Sequence, residues 1–210
     1  MAAVRVGVLL SGRGSNLQAL LDARAASWEV AVAVSNVAGA SGLARAEAAG
    51  VPARTVPHQD FAGRAAFEEA LDAELRAAGI DLVVLAGFMR VLGPEFVARR
   101  RDRLINIHPS LLPAFRGLDT HRRALEAGVG WHGCTVHFVR AELDAGPILV
   151  QAAVPVRRDD TEESLAARVL AREHKVLPLA VGWIAEGRVK VENERVVAVD
   201  PQDSSVNPSQ

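Results

Sequence analysis

The chain has 210 residues, with 24 basic against 25 acidic side chains and a formal net charge of -1. That length makes one domain the default, and the near-neutral balance disfavours non-specific nucleic-acid binding. A single cysteine, Cys134, excludes an internal disulfide framework or a cysteine-rich zinc site and fits a reducing, cytoplasmic compartment.

Taken in chain order, the first half alternates short apolar runs with alanine-rich helical patterns. Val4–Leu10, Glu29–Ser35, Ala53–Val56, Asp81–Ala86 and Arg103–Ile107 read as strands. Asn16–Ala26, Ser41–Ala49, Ala62–Ala78 and Pro94–Arg101 read as helices. Such alternation predicts an α/β fold, an open and mostly parallel sheet with helices on both faces. The apolar run at Val6–Leu10 is too short to span a bilayer and lacks the flanks of a secretory signal. No later segment is long enough either, so no membrane partner is expected.

The second half changes character. Thr135–Val139 and Ile148–Val156 read as strands joined by the turn-forming Glu142–Pro147. Thr161 is placed to cap a long helix reaching Glu186, with Glu162 and Glu163 near its positive end. Pro178 is expected to kink or divide that helix. Gly187–Val191 and Arg195–Val199 suggest a terminal hairpin. The expected organisation is one domain over residues 1–200 and a polar, mobile tail over 201–210.

Ser11-Gly12-Arg13-Gly14-Ser15-Asn16 follows the first strand and opens a helix. Glycines there let the backbone approach a ligand, and the N–H groups of the helix start attract an anion. A tight turn capped by Asn16 or Ser15 would read the same way. A dinucleotide fingerprint would want glycine near Leu17 and an acid where Ser35 and Asn36 stand. An ATP loop would want a lysine. One phosphate of a small substrate fits better.

Asn106-Ile107-His108-Pro109-Ser110-Leu111-Leu112-Pro113 begins at the carboxyl end of a predicted central strand. Asn106 and His108 alternate with Ile107, so extended backbone points both to one face. An amide and an imidazole there can bind an oxyanion and move a proton, although a loop histidine can also be structural. Asp144 has a turn role in Asp-Ala-Gly-Pro. Were it to approach His108, its carboxylate would favour the imidazolium and raise the histidine pKa above about 6.5. No helical His-Glu-x-x-His metal pattern is present.

The stretches Ser11–Gln18, Leu85–Leu92, Asn106–Pro113, His132–Val139 and Glu142–Pro147 together resemble the phosphoribosylglycinamide formyltransferases, folate-dependent enzymes of purine synthesis. The resemblance runs through nearly the whole chain. It implies a formyltransferase, Rossmann-like fold. The implied reaction moves a formyl group from the co-substrate 10-formyltetrahydrofolate to the primary amine of glycinamide ribonucleotide, without a metal. Asn106 would stabilise the oxyanion, His108 would act as general acid, and Asp144 would hold the imidazolium. Gly14, Ser15 and Asn16 look like the phosphate cradle and Glu173 like a partner of the ribose hydroxyls. Met89, Arg90, Val91 and Leu92 look like one wall of the folate cleft, joined by Asn106 and Asp144, and Arg64 like a contact to the folate glutamate tail. Val139, Arg140 and Ala141, leading to Asp144, look like the loop that closes around the pterin.

Arg116 stands where many relatives have proline, Asp119 where many have histidine, and Leu170 where some carry a polar phosphate contact. The change at 119 is expected to alter the surroundings of His108, and Arg168 or Arg172 to compensate for Leu170. A rival reading is a formyltetrahydrofolate deformylase, a hydrolase, but its extra N-terminal domain is not expected where a strand starts almost at Met1. The RNA-binding domain and positive charge of a methionyl-tRNA formyltransferase are likewise not expected. A non-catalytic nucleotide-binding module is a third. A homodimer is left open.

Overall fold

The computed structural model describes residues 2–23 and 25–198. The expected tail at 201–210, and Val199 at the end of the expected hairpin, lie outside them. The chain divides into two compact units between Ile105 and Asn106.

The first unit is built on β1 (Val4–Leu10), β2 (Trp28–Ser35), β3 (Ala53–Thr55) and β4 (Leu82–Leu85). β1 pairs in parallel with both β2 and β4, and β2 with β3. Val6, Val8, Leu9 and Leu10 are fully buried, as a strand covered on both faces requires. The helices are α1 (Ser15–Asp22), α2 (Ser41–Ala48), α3 (Arg64–Ala77) and α4 (Pro94–Arg99). α1 ends at Asp22, short of the expected Ala26. α4 ends at Arg99 instead of Arg101, and by Asp102 the backbone has turned left-handed, with φ 57°.

The start of α1 corrects a second expectation. Its N-cap is Gly14, at φ 69°, and neither Ser15 nor Asn16 caps it. A Cβ at Gly14 would lie 2.6 Å from the Gly42 Cα. Glycine is therefore required by both the left-handed conformation and the close approach of α2.

β5 (Leu104–His108) ends in the second unit. That unit continues with α5 (Thr120–Glu126), β6 (Trp131–Phe138), β7 (Ile148–Pro155), α6 (Glu162–Ala185), β8 (Val189–Glu192) and β9 (Arg195–Ala198). β6 and β7 are antiparallel, with a register shift between Val136 and His137, and β8 and β9 form the small hairpin. Among the described residues the main sheet has seven strands in the order β3-β2-β1-β4-β5-β6-β7. This is the open, mostly parallel α/β architecture that the alternating pattern predicts. α5 was not foreseen, and β6 starts at Trp131, before the expected Thr135, because Trp-His-Gly-Cys carries no apolar alternation.

α6 begins on the expected cap. Thr161 Oγ1 accepts from the Ser164 N–H, and Ser164 Oγ accepts from the Thr161 N–H. Pro178 does not divide this helix, which runs for 24 residues. Proline removes one backbone hydrogen bond, but Leu165, Val169, Leu177, Ala180 and Val181 are fully buried along the helix. That packing, against β6 and β7, outweighs the local loss.

In each unit the chemistry-bearing loops follow the carboxyl ends of strands, where open α/β sheets place ligands. They are 11–14 after β1 and 86–93 after β4 in the first unit, and 109–119 after β5 in the second.

Candidate active site

β5 delivers Asn106 and His108 to one face, and the second unit closes a polar network around them. His108 Nδ1 lies 3.4 Å from Asp144 Oδ2, with both side chains 7% exposed. The other ring nitrogen, Nε2, donates to the Phe115 carbonyl at 3.0 Å. A carbonyl can only accept, so Nε2 carries a proton. Phe115 reaches this position with φ 54°, its ring edge-on to His132 and beneath the Arg123 guanidinium.

The loop leaving His108 is fastened from below by Thr135. Its hydroxyl donates to the Ser110 carbonyl at 2.7 Å and accepts from the Leu112 N–H at 3.1 Å. Gln151 Nε2 also donates to Thr135 Oγ1 and to the Leu112 carbonyl, both at 2.9 Å. Thr135 and Ser110 are wholly buried, so these bonds operate out of competition with water.

Asp144 sits in the turn that the sequence suggests and within 3.4 Å of His108. It turns the chain at φ 49°, and its Oδ2 accepts from the Gly117 N–H at 2.9 Å. Gly146, two residues on, passes so close to β6 that a Cβ would overlap the Phe138 carbonyl oxygen. The other carboxylate oxygen lies 3.6 Å from His137 Nε2. Burial pushes the His137 imidazole down to about 4, against the upward pull of its Phe138 hydrogen bond and of Asp144, so it is neutral at pH 7. Its Nδ1–H donates to the Phe138 carbonyl at 3.1 Å, which leaves Nε2 as an acceptor. Asn106 Nδ2 donates to it at 3.2 Å. This bond sets the amide orientation and leaves the second N–H of Asn106 for another acceptor.

His137, Thr135, Phe115 and Gly117 carry no role in the sequence reading. The alternation of Thr135 and His137 on one strand was the available signal. The register shift at Val136/His137 was not visible, and such breaks in strand pairing re-aim side chains.

The divergent positions fall outside this network. Asp119 is the N-cap residue of α5 and its carboxylate pairs with Arg122 at 2.6 Å, with the side chain 58% exposed. The imidazoles that feel His108 are His121, His132 and His137, and His121 Nδ1 lies 3.2 Å from His132 Nε2. His121 is pushed down by burial and then by His108, and His132 is pushed down to about 4 by burial and then by His121. Arg116 pairs with Glu142 at 2.8 Å. Arg168 is committed to Asp160 and the Pro155 carbonyl, which argues against its compensating for Leu170, while Arg172 is exposed on α6.

Of the outer residues in this unit, Glu173 is buried on α6 instead of solvated. It lies close enough to Cys134 to add to the burial that pushes this thiol up to about 12. Arg140 pairs with Glu194 at 2.6 Å, tying the 139–144 loop to the turn between β8 and β9. Val139 is partly buried and Ala141 exposed.

In the first unit, Gly14 and Asn16 are buried and Ser15 half-buried at the start of α1. In the segment after β4, Met89 and Val91 are exposed apolar side chains, Arg90 is exposed, and Leu92 is buried. Arg64, at the start of α3, lies 3.9 Å from Glu68.

A mostly parallel sheet with Asn106 and His108 at the end of one strand and Asp144 in a later loop beside His108 defines a class, and the chain belongs to the formyl transferase family, whose model matches residues 4–181. The phosphoribosylglycinamide formyltransferase of Escherichia coli K12 is 46% identical over 202 residues, covering 95% of each chain. The human trifunctional purine biosynthetic protein adenosine-3 is 47% identical over 91% of this chain, which spans only 19% of that protein's length. The crystal structure of glycinamide ribonucleotide transformylase 1 from Symbiobacterium toebii superposes with a TM-score of 0.92, at 49% identity and over 95% of each chain. Among the described residues no helix is long and apolar enough to cross a membrane.

Proposed function

We propose that this chain transfers the formyl group of 10-formyltetrahydrofolate to the primary amine of glycinamide ribonucleotide in purine synthesis. The observation that carries this reading is the 3.4 Å approach of His108 to Asp144 beside an Asn106 amide oriented by neutral His137.

The neutral amine attacks the formyl carbon, and charge builds on the formyl oxygen. Asn106 presents its second N–H to that oxygen, and His108, as imidazolium, presents Nε2–H, which the Phe115 carbonyl holds beforehand. Exchanging the Phe115 carbonyl for the developing oxyanion lets the His108 Nε2–H stabilise that charge beside the second N–H of Asn106. The carbon–nitrogen bond to the folate then breaks. His108 supplies the proton that the departing folate nitrogen takes up. Asp144, through water, receives the proton that the amine loses. Proton exchange between Asp144 and His108 resets the pair.

Gly14, Ser15 and Asn16 are assigned to the substrate phosphate and Glu173 to its ribose. Met89, Arg90, Val91 and Leu92 are assigned to the folate, with Arg64 on its glutamate tail and Val139, Arg140 and Ala141 in the loop around the pterin. We place the reaction in the cytoplasm, with which a lone, buried cysteine accords.

The test is to supply the purified protein with glycinamide ribonucleotide and 10-formyltetrahydrofolate, without ATP or added metal. Formylated ribonucleotide and tetrahydrofolate are expected in equal amounts. Folate deformylation indifferent to the amine would favour the hydrolase instead.

A further inference from the structure

The segment after β4 is pinned at both ends, by Ser11 and by Glu68. At its start, the Met89 N–H donates to Ser11 Oγ at 2.7 Å. The Ser11 hydroxyl proton goes to Asn36 Oδ1 at 2.5 Å, and the Ser11 N–H donates to the Gly87 carbonyl at 3.0 Å. Asn36 is itself 3% exposed, and its Nδ2 lies 3.2 Å from His58 Nδ1. The hydroxyl of Ser11 is thus used as donor and acceptor at once and has one orientation.

At the far end, the Gly93 N–H donates to Glu68 Oε1 at 2.6 Å. The Glu68 side chain is 7% exposed, so this is a buried, charge-assisted bond. A Cβ at Gly93 would lie 2.9 Å from Glu68 Oε2 and 3.3 Å from Arg64 Nε, which leaves little room for the chain to shift. Between the pins, Met89 and Val91 stand 68% and 60% exposed. Apolar side chains held in water by a fixed backbone are what a preorganised ligand wall requires.

We infer that Ser11 and Glu68 are positioning residues that fix, from opposite ends, the backbone of 89–92 that receives the folate. This rests on the reading of that segment as the folate wall. Neither residue touches the reacting atoms. Their loss acts on the binding of one substrate and not on the chemical step.

The experiment compares Glu68→Ala and Ser11→Ala with Glu68→Gln and Ser11→Thr in the full chain. Each alanine variant is expected to raise KM for 10-formyltetrahydrofolate about tenfold, with kcat within about twofold, from the loss of one hydrogen bond. Glu68→Ala leaves KM for glycinamide ribonucleotide unchanged. Glu68→Gln and Ser11→Thr keep the acceptor and restore the folate KM. Amide exchange at Gly93 and Met89 speeds up in the matching alanine variant, a readout that needs no substrate. Folded alanine variants with wild-type folate KM would overturn the inference, as would a Glu68→Gln variant as impaired as Glu68→Ala. If either alanine variant does not fold, the Glu68→Gln and Ser11→Thr kinetics decide. A wild-type chain that binds no folate would instead overturn the reading of the site, and the inference with it.

Discussion

His108 and Asp144 are separated by 36 positions in the chain and by 3.4 Å in space, Nδ1 to Oδ2, with both side chains buried. The contact is held from both sides. Gly117 donates its N–H to the carboxylate, and the Phe115 carbonyl receives the opposite edge of the imidazole.

Asp144→Asn keeps an oxygen for the Gly117 N–H but removes the charge facing His108. It is expected to lower kcat by a factor on the order of 10²–10⁴, as does His108→Ala. KM for both substrates should change only a few-fold. The double variant should be little worse than either single one, because the two residues act as a unit. Steady-state kinetics of the three variants decide it, and additive losses would separate the residues.

His137→Ala removes the acceptor that orients the Asn106 amide. The expected loss in kcat is about tenfold, the scale of one buried hydrogen bond. In an Asn106→Ala background the same substitution should cost almost nothing further. A double-mutant cycle measures that coupling directly.

Stability should depend on pH through His132 and His137, both held down to about 4 by burial. Between that value and the ordinary histidine range near 6.5, the unfolded chain binds protons that the folded chain does not. Unfolding free energy therefore rises with pH through this window and is lost as pH falls from about 6.5 toward 4. Urea melts at a series of pH values test the slope. A His132→Gln, His137→Asn double variant should flatten it.

Cys134 is fully buried and its thiol is pushed up to about 12, by burial first and by Glu173 second. The native protein should therefore be inert to a disulfide reagent at pH 8, because the thiolate is the reactive form. One thiol should titrate when urea is added. Rapid reaction in the native state would contradict the packing around β6.

Much of the fold was legible from local pattern alone. β1 occupies the predicted Val4–Leu10, since an apolar run ending in a glycine loop has few alternatives. The cap at Thr161 was equally local. Pro178 does not divide α6, because a proline's effect on a helix depends on what the helix is packed against.

Asn106 and His108 could be placed on one face by the two-residue period of a strand. Composition and charge pointed to one domain and disfavoured a nucleic-acid partner, the glycine loop pointed to one small phosphate, and the motifs pointed to a family. What the sequence could not determine was which polar groups meet. Only the tertiary structure brings Asp144 to His108, gives His137 to Asn106 as an acceptor, and ties Asp119 to Arg122 away from the site. Strand and helix periods are set by neighbours a few residues apart. A hydrogen-bond network is set by loops whose paths depend on buried contacts across the sheet, such as the register shift at Val136/His137 and the close passage of Gly146 beside Phe138.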